Sequence, residues 1–600
     1  MSIGEVDVVQ LTVIANRLDG IVREMENTLL RSGRSAVLNM ARDFSCSIIT
    51  ADHQLLASAE GLPVHVFGGE RLGETIAEFH DDISEGDAFL HNDPYLGNTH
   101  AADHTILVPV FIQGEHMFTT LAKAHQADIG NSQPTTYMPF ARDVYEEGAL
   151  IFPGVRIQRN REDVQDIIRM CKKRIRVADQ WYGDYLAMIG AARIGEIGLK
   201  DLCARHGVET VKAFIGEWFD YSERKMEHAI RQLSAGTVTG YGMADPLQPV
   251  MPDGIPIQVT ITVDPNAGRI TLDLRDNIDC LDAGLNESET CSRNNVLTGL
   301  LNSLEAEIPR NSGSFRRIEI LLRKGCVVGI PTFPHSTSVA TTNLGERLVM
   351  ITQKTFADKW RGLGLAEGAC SVGTGFSVIS GTDDRREPAR AYVNQLFLGS
   401  QGGPASADID GWITYGNAVT NGLMFRDSIE VDEQKYPIRV SELRIRLDSE
   451  GAGFRRGAPG TIVRFGPKVA SMQAFYANDG VEYPPRGVQG GGSSAPSEPF
   501  LLTATGEEKA VPAIGNVMLV IGETLGHRLS GGGGYGDPYT REIARVREDV
   551  LARFISFERA RDVYGVVFES CALDDSLMID IEETAKLRSQ TRSGVTSSST

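Results

Sequence analysis

Imidazole is concentrated in one stretch of this chain. Twelve histidines are spread over 600 residues, yet eight of them fall between His53 and His125. Within residues 90–128, LHNDPYLGNTHAADHTILVPVFIQGEHMFTTLAKAHQAD, His100 and Asp103 stand three apart and His125 follows beyond an apolar run. The segments TILVPVFI and HMFTTLAKA flank Gln113-Gly114, the pattern of two strands joined by a tight turn. Pairing Ile112 with Glu115 sets Asp103 opposite Ala124 and Ala102 opposite His125, so the hairpin returns His125 to the neighbourhood of His100 and Asp103. Two imidazoles and a carboxylate gathered in this way suit a divalent metal ion. Strict alternation would leave His100 and His125 on one face and Asp103 on the other. Convergence of all three therefore requires the chain before Thr105 to be loop, as its turn-rich composition allows.

The surrounding elements must position these residues. Residues 5–40 carry helical periodicity, with Leu11, Ile14, Ala15, Leu18, Ile21 and Val22 forming an apolar stripe. RDFSCSIITADHQLLASAE reads as a hairpin with Asp43 at the head of its first strand, and His65 in GLPVHVF reads as a hydrogen-bonded core residue. A helix over 69–80 leads into the turn-rich HNDPYLGNTH, where Asn92, Asp93, Pro94, Gly97 and Asn98 let short polar side chains converge. The irregular stretch after His125 is long enough to wall a pocket or close over it.

Residues 160–234 are helical, with Gly207 as a stop. From Thr237 alternation takes over, beginning with a hairpin through Asn266-Ala267-Gly268. Further strands are expected at 317–330, 345–352, 392–398, 438–447, 460–472 and 516–523, with a helix at 288–308. A glycine turn at Gly531–Gly534 leads to two closing helices and a strand, and the tail after about 587 is expected to be disordered. The fold class is α+β and multidomain: a metal-binding α/β domain with a helical segment (1–236), a β-rich domain with Gly-rich turns (237–545), and C-terminal helices with a tail (546–600).

Composition narrows the function. A net charge of −20 argues against a nucleic-acid surface. No apolar window approaches the roughly 18 residues of a membrane span, and MSIGEVDVVQ lacks the features of a signal peptide. The eight cysteines are scattered without a CxxC pair, as in a reducing cytoplasm rather than a disulfide framework or zinc ribbon. These features point to a cytoplasmic protein with no nucleic-acid or membrane partner.

The motifs HNDPY, GNTHAAD, AHQADIGN and GGGGYGDPYTR, together with RDFSCSI, GLPVHVF, YEEGALIFP, GDYLAMIGAARIGE and EQKYPIRVSELRIRLDSEGAGFRRGAPG, resemble the hydantoinase B/oxoprolinase family from about residue 8 to 567. That family includes B subunits of ATP-dependent hydantoinases and lactamases and relatives in acetone and acetophenone carboxylases. The resemblance implies metal ligands at His100, Asp103 and His125, with Asp43 as a further ligand that spacing alone does not select. The sequence departs from the family where Asn98 replaces a glycine before Thr99-His100, where Asn131 follows Gly130, and where Pro134-Thr135-Thr136 stands for PGS.

A His2Asp2 set suits one divalent transition metal, Zn²⁺, Mn²⁺ or Fe²⁺, better than Mg²⁺ or Ca²⁺. Water on such an ion loses its proton near neutral pH and can attack a carbonyl. An unstrained lactam is a poor electrophile, and the resemblance implies a partner A subunit that uses ATP to phosphorylate the carbonyl oxygen, with two copies of each subunit expected. This chain has no GxxxxGK[ST] loop, as fits ATP being handled by that partner. Asp93 and Asp128 read as general acid/base groups or as carboxylates supporting the ligands from behind, against loop-capping carboxylates as the plain alternative. His104 is the third candidate catalytic residue, and it and His91 could instead lie behind the ligands or at the surface. Glu146-Glu147 reads as a solvated face, and Gly531–Gly534 as either a phosphate cradle or a tight turn. The expected function is metal-assisted hydrolysis of a cyclic amide such as a hydantoin or 5-oxoproline, with a ketone carboxylase subunit and a non-catalytic scaffold as alternatives.

Overall fold

The structure, a computed structural model, describes residues 8–58, 62–66, 68–304, 307–368 and 373–595. A seven-stranded antiparallel sheet in the first quarter of the chain positions the site. Its strands are β1 (Phe44–Thr50), β2 (Leu55–Ser58), β3 (Ala88–His91), β4 (Asp103–Ile112), β5 (Glu115–His125), β6 (Val155–Arg159) and β7 (Glu162–Asp163), in the order β2-β1-β5-β4-β3-β6-β7. The apolar run TILVPVFI is continuous rather than alternating because both faces of this sheet are covered.

One face, carrying Cys46, Ile48, Leu90, Ile106, Val108 and Ala122, packs against the Val8–Ser32 and Ala178–His206 helices. The opposite face, carrying Ile49, Phe89, Leu107 and Leu121, joins a core that continues through Val296 and Leu348 to Leu529. The first helix stops at Ser32 and resumes for one turn at Ala36–Asn39, short of the continuous 5–40 pattern. Asp184 from the Ala178–His206 helix receives the Arg34 and Ser35 amides at this break. Gly207 ends that helix at φ 84°, as its position predicts.

Beyond the helices the chain builds a four-stranded sheet (Gly236–Ala244, Ile255–Asp264, Arg269–Asp273 and Ile318–Leu321) and two further sheets between 378 and 528. The segment 345–352, expected as a strand, lies in the Leu344–Lys359 helix. Packed between the Glu289–Leu301 helix and the Gly236–Ala244 strand, it is buried on almost every side. Its apolar residues therefore show no helical stripe, and a short buried helix reads like a buried strand.

The closing helices are Ile543–Leu551 and Phe557–Tyr564. A further helix, Ile581–Val595, occupies the start of the tail expected to be disordered after about 587. Arg588 ties it down by donating to the Tyr564 and Arg541 carbonyls. Residues 596–600 of that tail and part of the 288–308 helix expectation lie outside the described residues.

Gly531–Gly534 does not form an anion cradle. The amides of Gly532, Gly533 and Gly534 are spent on the carbonyls of Ala458, Glu367 and Gly492. A Cβ at Gly532 would stand 1.9 Å from the Gly403 carbonyl oxygen, so glycine here permits backbone to pack on backbone. No helix among the described residues is long and apolar enough to cross a membrane.

Candidate metal centre

The site forms at the end of the sheet where β4 begins and β5 ends. Gln113 and Gly114 both take positive φ, 52° and 87°, and close the hairpin as a two-residue turn. Ile112 pairs with Glu115 as the sequence predicts, but the register slips between Val110 and Phe111, where Met117 is an extra residue. From there to the open end every pairing moves by one, so Asp103 stands directly opposite His125 rather than Ala124. The bulge puts Asp103 and His125 on one face. Convergence therefore does not depend on loop before Thr105, since β4 already starts at Asp103.

His100 reaches the same point from the preceding turn, which Asn98 holds in place. Its Nδ2 donates to the His100 and Asp103 carbonyls at 2.7 and 2.8 Å, and its Oδ1 accepts from Thr105 at 3.1 Å. The three donor atoms of His100, Asp103 and His125 lie within 4.8 Å of one another, on residues that are all buried. His100 Nε2 is 2.9 Å from Asp103 Oδ1 and 3.3 Å from His125 Nδ1, which is itself 3.1 Å from Asp103 Oδ1. Atoms each about 2.1 Å from a shared ion stand about 3.0 to 3.4 Å from each other. The three donors already have that spacing.

Backbone and hydroxyl groups set which ring nitrogen faces inward. His100 Nδ1–H donates to the Ser338 carbonyl at 2.8 Å, leaving the Nε2 lone pair for the centre. His125 Nε2 is 3.2 Å from Thr136 Oγ1, leaving Nδ1. Asp43, just before β1, is brought beside His125 by the β1–β5 ladder, its carbonyl accepting the His125 amide. His65, expected in the core, is the residue that sequence reasoning misses. From the one-turn Pro63–Val66 helix its Nε2 lies 3.1 Å from Asp103 Oδ2 and 3.7 Å from Asp43 Oδ1. Its one signal is its place in the family-like GLPVHVF, since spacing gives no hint of a contact 38 residues away.

The charges suit a cation. Burial alone would raise the Asp103 carboxyl, but the His100 and His65 imidazoles beside it hold it well below the usual carboxylate range. His100 moves upward in step: burial opposes its charge, and Asp103 outweighs burial. Burial pushes the Asp43 carboxyl up despite the nearby imidazoles, a penalty that a divalent charge would reverse. Lys123, on the same face, is pushed down to about 8 by burial.

The other candidates are engaged by other partners. His104 follows Asp103 and so points to the opposite face, where it meets Phe152 and accepts from Trp181 Nε1 at 3.4 Å. Asp93 caps the Pro94–Leu96 turn through the Tyr95 amide. Asp128 binds Arg176 through its backbone amide and guanidinium, at 2.6 and 2.7 Å. His91 bridges the Phe152 and Leu96 carbonyls. Glu146 is an exposed partner of Arg142, whereas Glu147, expected on a solvated face, is buried and accepts from Ser336 at 2.7 Å.

Comparison with known proteins matches residues 7–538 to the family model described as Hydantoinase B/oxoprolinase. The chain is 29% identical to the beta subunit of the caprolactamase of Pseudomonas jessenii, covering 94% of this chain and 97% of that one. The crystal structure of the ATP-dependent caprolactamase from that organism superposes with a TM-score of 0.87 at 27% identity, over 98% of this chain and 100% of the other. The B subunit of a putative D-/L-hydantoinase from Pseudomonas sp. strain NS671 is 28% identical over 97% of this chain and 98% of its own. A nucleotide-free acetone carboxylase structure has the same fold, with a TM-score of 0.87 at 17% identity over 99% of this chain and 84% of that one.

Proposed function

The chain belongs to the hydantoinase B/oxoprolinase family, and on that premise we propose that it is the metal-binding subunit of an ATP-dependent cyclic amidase. It acts on a lactam or hydantoin whose carbonyl a separate ATP-using subunit phosphorylates. One observation carries this reading: His100, Asp103 and His125 offer three buried donor atoms within 4.8 Å of one another. The relatives named for lactam and hydantoin hydrolysis supply the substrate class.

Asp43, His100, Asp103 and His125 would hold the ion, with His65 against both carboxylates. When bound, a transition-metal ion supplies Lewis acidity, polarising a carbonyl and acidifying water. The protein's own part is orientation. The Ser338 carbonyl and Thr136 hydroxyl fix two imidazoles with their lone pairs inward, and Asp103, kept ionised, presents negative charge from a buried position.

Reconstitution with an ATP-using A subunit tests the proposal. ATP-dependent ring opening of a lactam that requires metal and is lost in His100→Ala is the expected result. ATP turnover that instead requires a ketone and bicarbonate would replace hydrolysis with carboxylation. A purified chain with less than about a tenth of an equivalent of transition metal would overturn the metal-centred reading, because a site with this donor set binds such ions tightly.

A further inference from the structure

A cleft of about 460 Å³ opens on the four-stranded sheet and shares no lining residue with the metal centre. That volume lies within the roughly 300 to 1,000 Å³ of small-molecule sites. Its floor is apolar, formed by Met243, Pro256, Ile257, Ile278 and Pro484. Charged groups stand around this floor, and they are of both signs.

At one end Arg486 donates through Nη2 to the Tyr241 carbonyl, on the Gly236–Ala244 strand, and through Nε to Glu367 at 3.0 Å. Its Nη1 lines the cleft side of the guanidinium and has no partner among the described residues. Arg347 adds a second guanidinium to the lining, held by Asp479 at 2.6 Å. At the other end lies Asp276. Asn277 Oδ1 accepts the Gln258 amide, and Gln258 Nε2 donates to the Asp276 carbonyl, both at 2.8 Å. This docks residues 276–277 on one side of the Ile255–Asp264 strand, while Tyr241 pairs with Gln258 on the other. Two strand spacings, roughly 10 Å, therefore separate the two ends. The carboxylates of Asp276 and of Glu482, also in the lining, are exposed and have no ion-pair partner among the described residues.

We propose that this cleft binds an ω-amino acid, a short methylene chain with a carboxylate at one end and an ammonium at the other. The carboxylate takes Arg486 Nη1, the methylenes lie on the apolar floor, and the ammonium meets Asp276 and Glu482. A plain carboxylate would leave those two acids facing it, and a plain amine would face the guanidiniums. Each is disfavoured by an unmatched charge, and the zwitterion alone satisfies both ends. Opening a lactam adds water across its C–N bond and releases this zwitterion, which makes the cleft a site for the reaction's product. That source rests on the amidase reading, whereas the chemistry of the cleft does not.

The test is a ligand-observed NMR titration of the full-length chain with 6-aminohexanoate, hexanoate and hexylamine. The zwitterion should bind at least about fivefold more tightly than either singly charged analogue. His100→Ala should leave that binding within about twofold, because the cleft is separate from the metal centre. Asp276→Asn combined with Glu482→Gln changes only exposed side chains, and should bring 6-aminohexanoate and hexanoate to within about twofold of each other. Arg486→Lys keeps a cation for Glu367 but withdraws the free edge of the guanidinium, and should weaken both of these ligands by about fivefold. Equal binding of the three ligands would overturn the proposal, as would no saturable binding of the zwitterion, its loss in His100→Ala, or an unchanged preference in the Asp276/Glu482 double variant. Zwitterion binding with no ring opening by the reconstituted complex would sink the amidase but keep the site. Ring opening with no zwitterion binding would sink the site and leave the amidase standing.

Discussion

The two faces of the seven-stranded sheet carry histidines close to the same acidic group in sequence, and they do opposite things with them. On one face His100 and His125 surround Asp103, and His100 is held toward its charged form by that carboxylate. On the other, His104 is enclosed by Trp181 and Phe152, and burial pushes it down to about 3, so it stays neutral. Burial is equally complete on both sides. The difference is a charged partner at hydrogen-bond distance, which only one face supplies. Imidazole concentration in a sequence therefore marks a region, and the face decides which rings can serve a metal.

The sharpest way to break this comparison is Asp103→Ala. It should lower metal content to below about a tenth of an equivalent and reduce ring opening more than about 100-fold, as judged by elemental analysis and turnover of the reconstituted complex. His65→Ala removes a ring that touches both carboxylates, and should weaken metal affinity by about 10- to 100-fold in chelator competition, with occupancy restored by excess metal. A loss no larger than that of His104→Leu would return His65 to the core role its sequence suggests.

Asn98→Ala releases the turn that delivers His100. It should cost about 2 kcal/mol in denaturant unfolding, because two carbonyls and the Thr105 hydroxyl lose buried partners.

The smallest effect is expected on the opposite face. His104→Leu should keep metal content and turnover within about twofold of the wild type. It should also change the acid limb of stability. The folded His104 titrates at about 3 against an ordinary 6.5, so between those values the unfolded chain binds the extra proton and stability falls as pH falls. His104→Leu should flatten that decline by up to about 1.4 kcal/mol per pH unit within the window. An acid limb identical to the wild type would mean that the ring is not held neutral by burial.

Much of the site is legible in the chain. The hairpin follows from apolar runs flanking Gln113-Gly114, because a two-residue turn with both φ positive needs such residues. His100, Asp103 and His125 follow from that hairpin, whereas Asp43 follows from the resemblance. The 345–352 segment reads as a strand because residues buried on all sides lose the stripe that betrays a helix. His65 reads as core for a related reason: an apolar setting is the same whether a ring packs or faces a carboxylate. Asp93 and Asp128 have the right chemistry and neighbourhood, but their oxygens are engaged in a turn and an arginine pair.

By itself, the sequence determined the donor types, the strand pair that carries two of them, and the family. Those depend on local propensity and on neighbours within a few dozen residues. Tertiary structure alone decided which donors meet. The extra residue at Met117 exchanges the faces of a whole half-strand, and nothing in the hydrophobic pattern of a doubly buried hairpin shows where such a bulge sits. The contacts of His65 with Asp103, of His100 with Ser338 and of Tyr137 with Gln395 span 38, 238 and 258 residues. Such pairs are fixed by how sheets and helices stack, and so become visible only once the chain is folded.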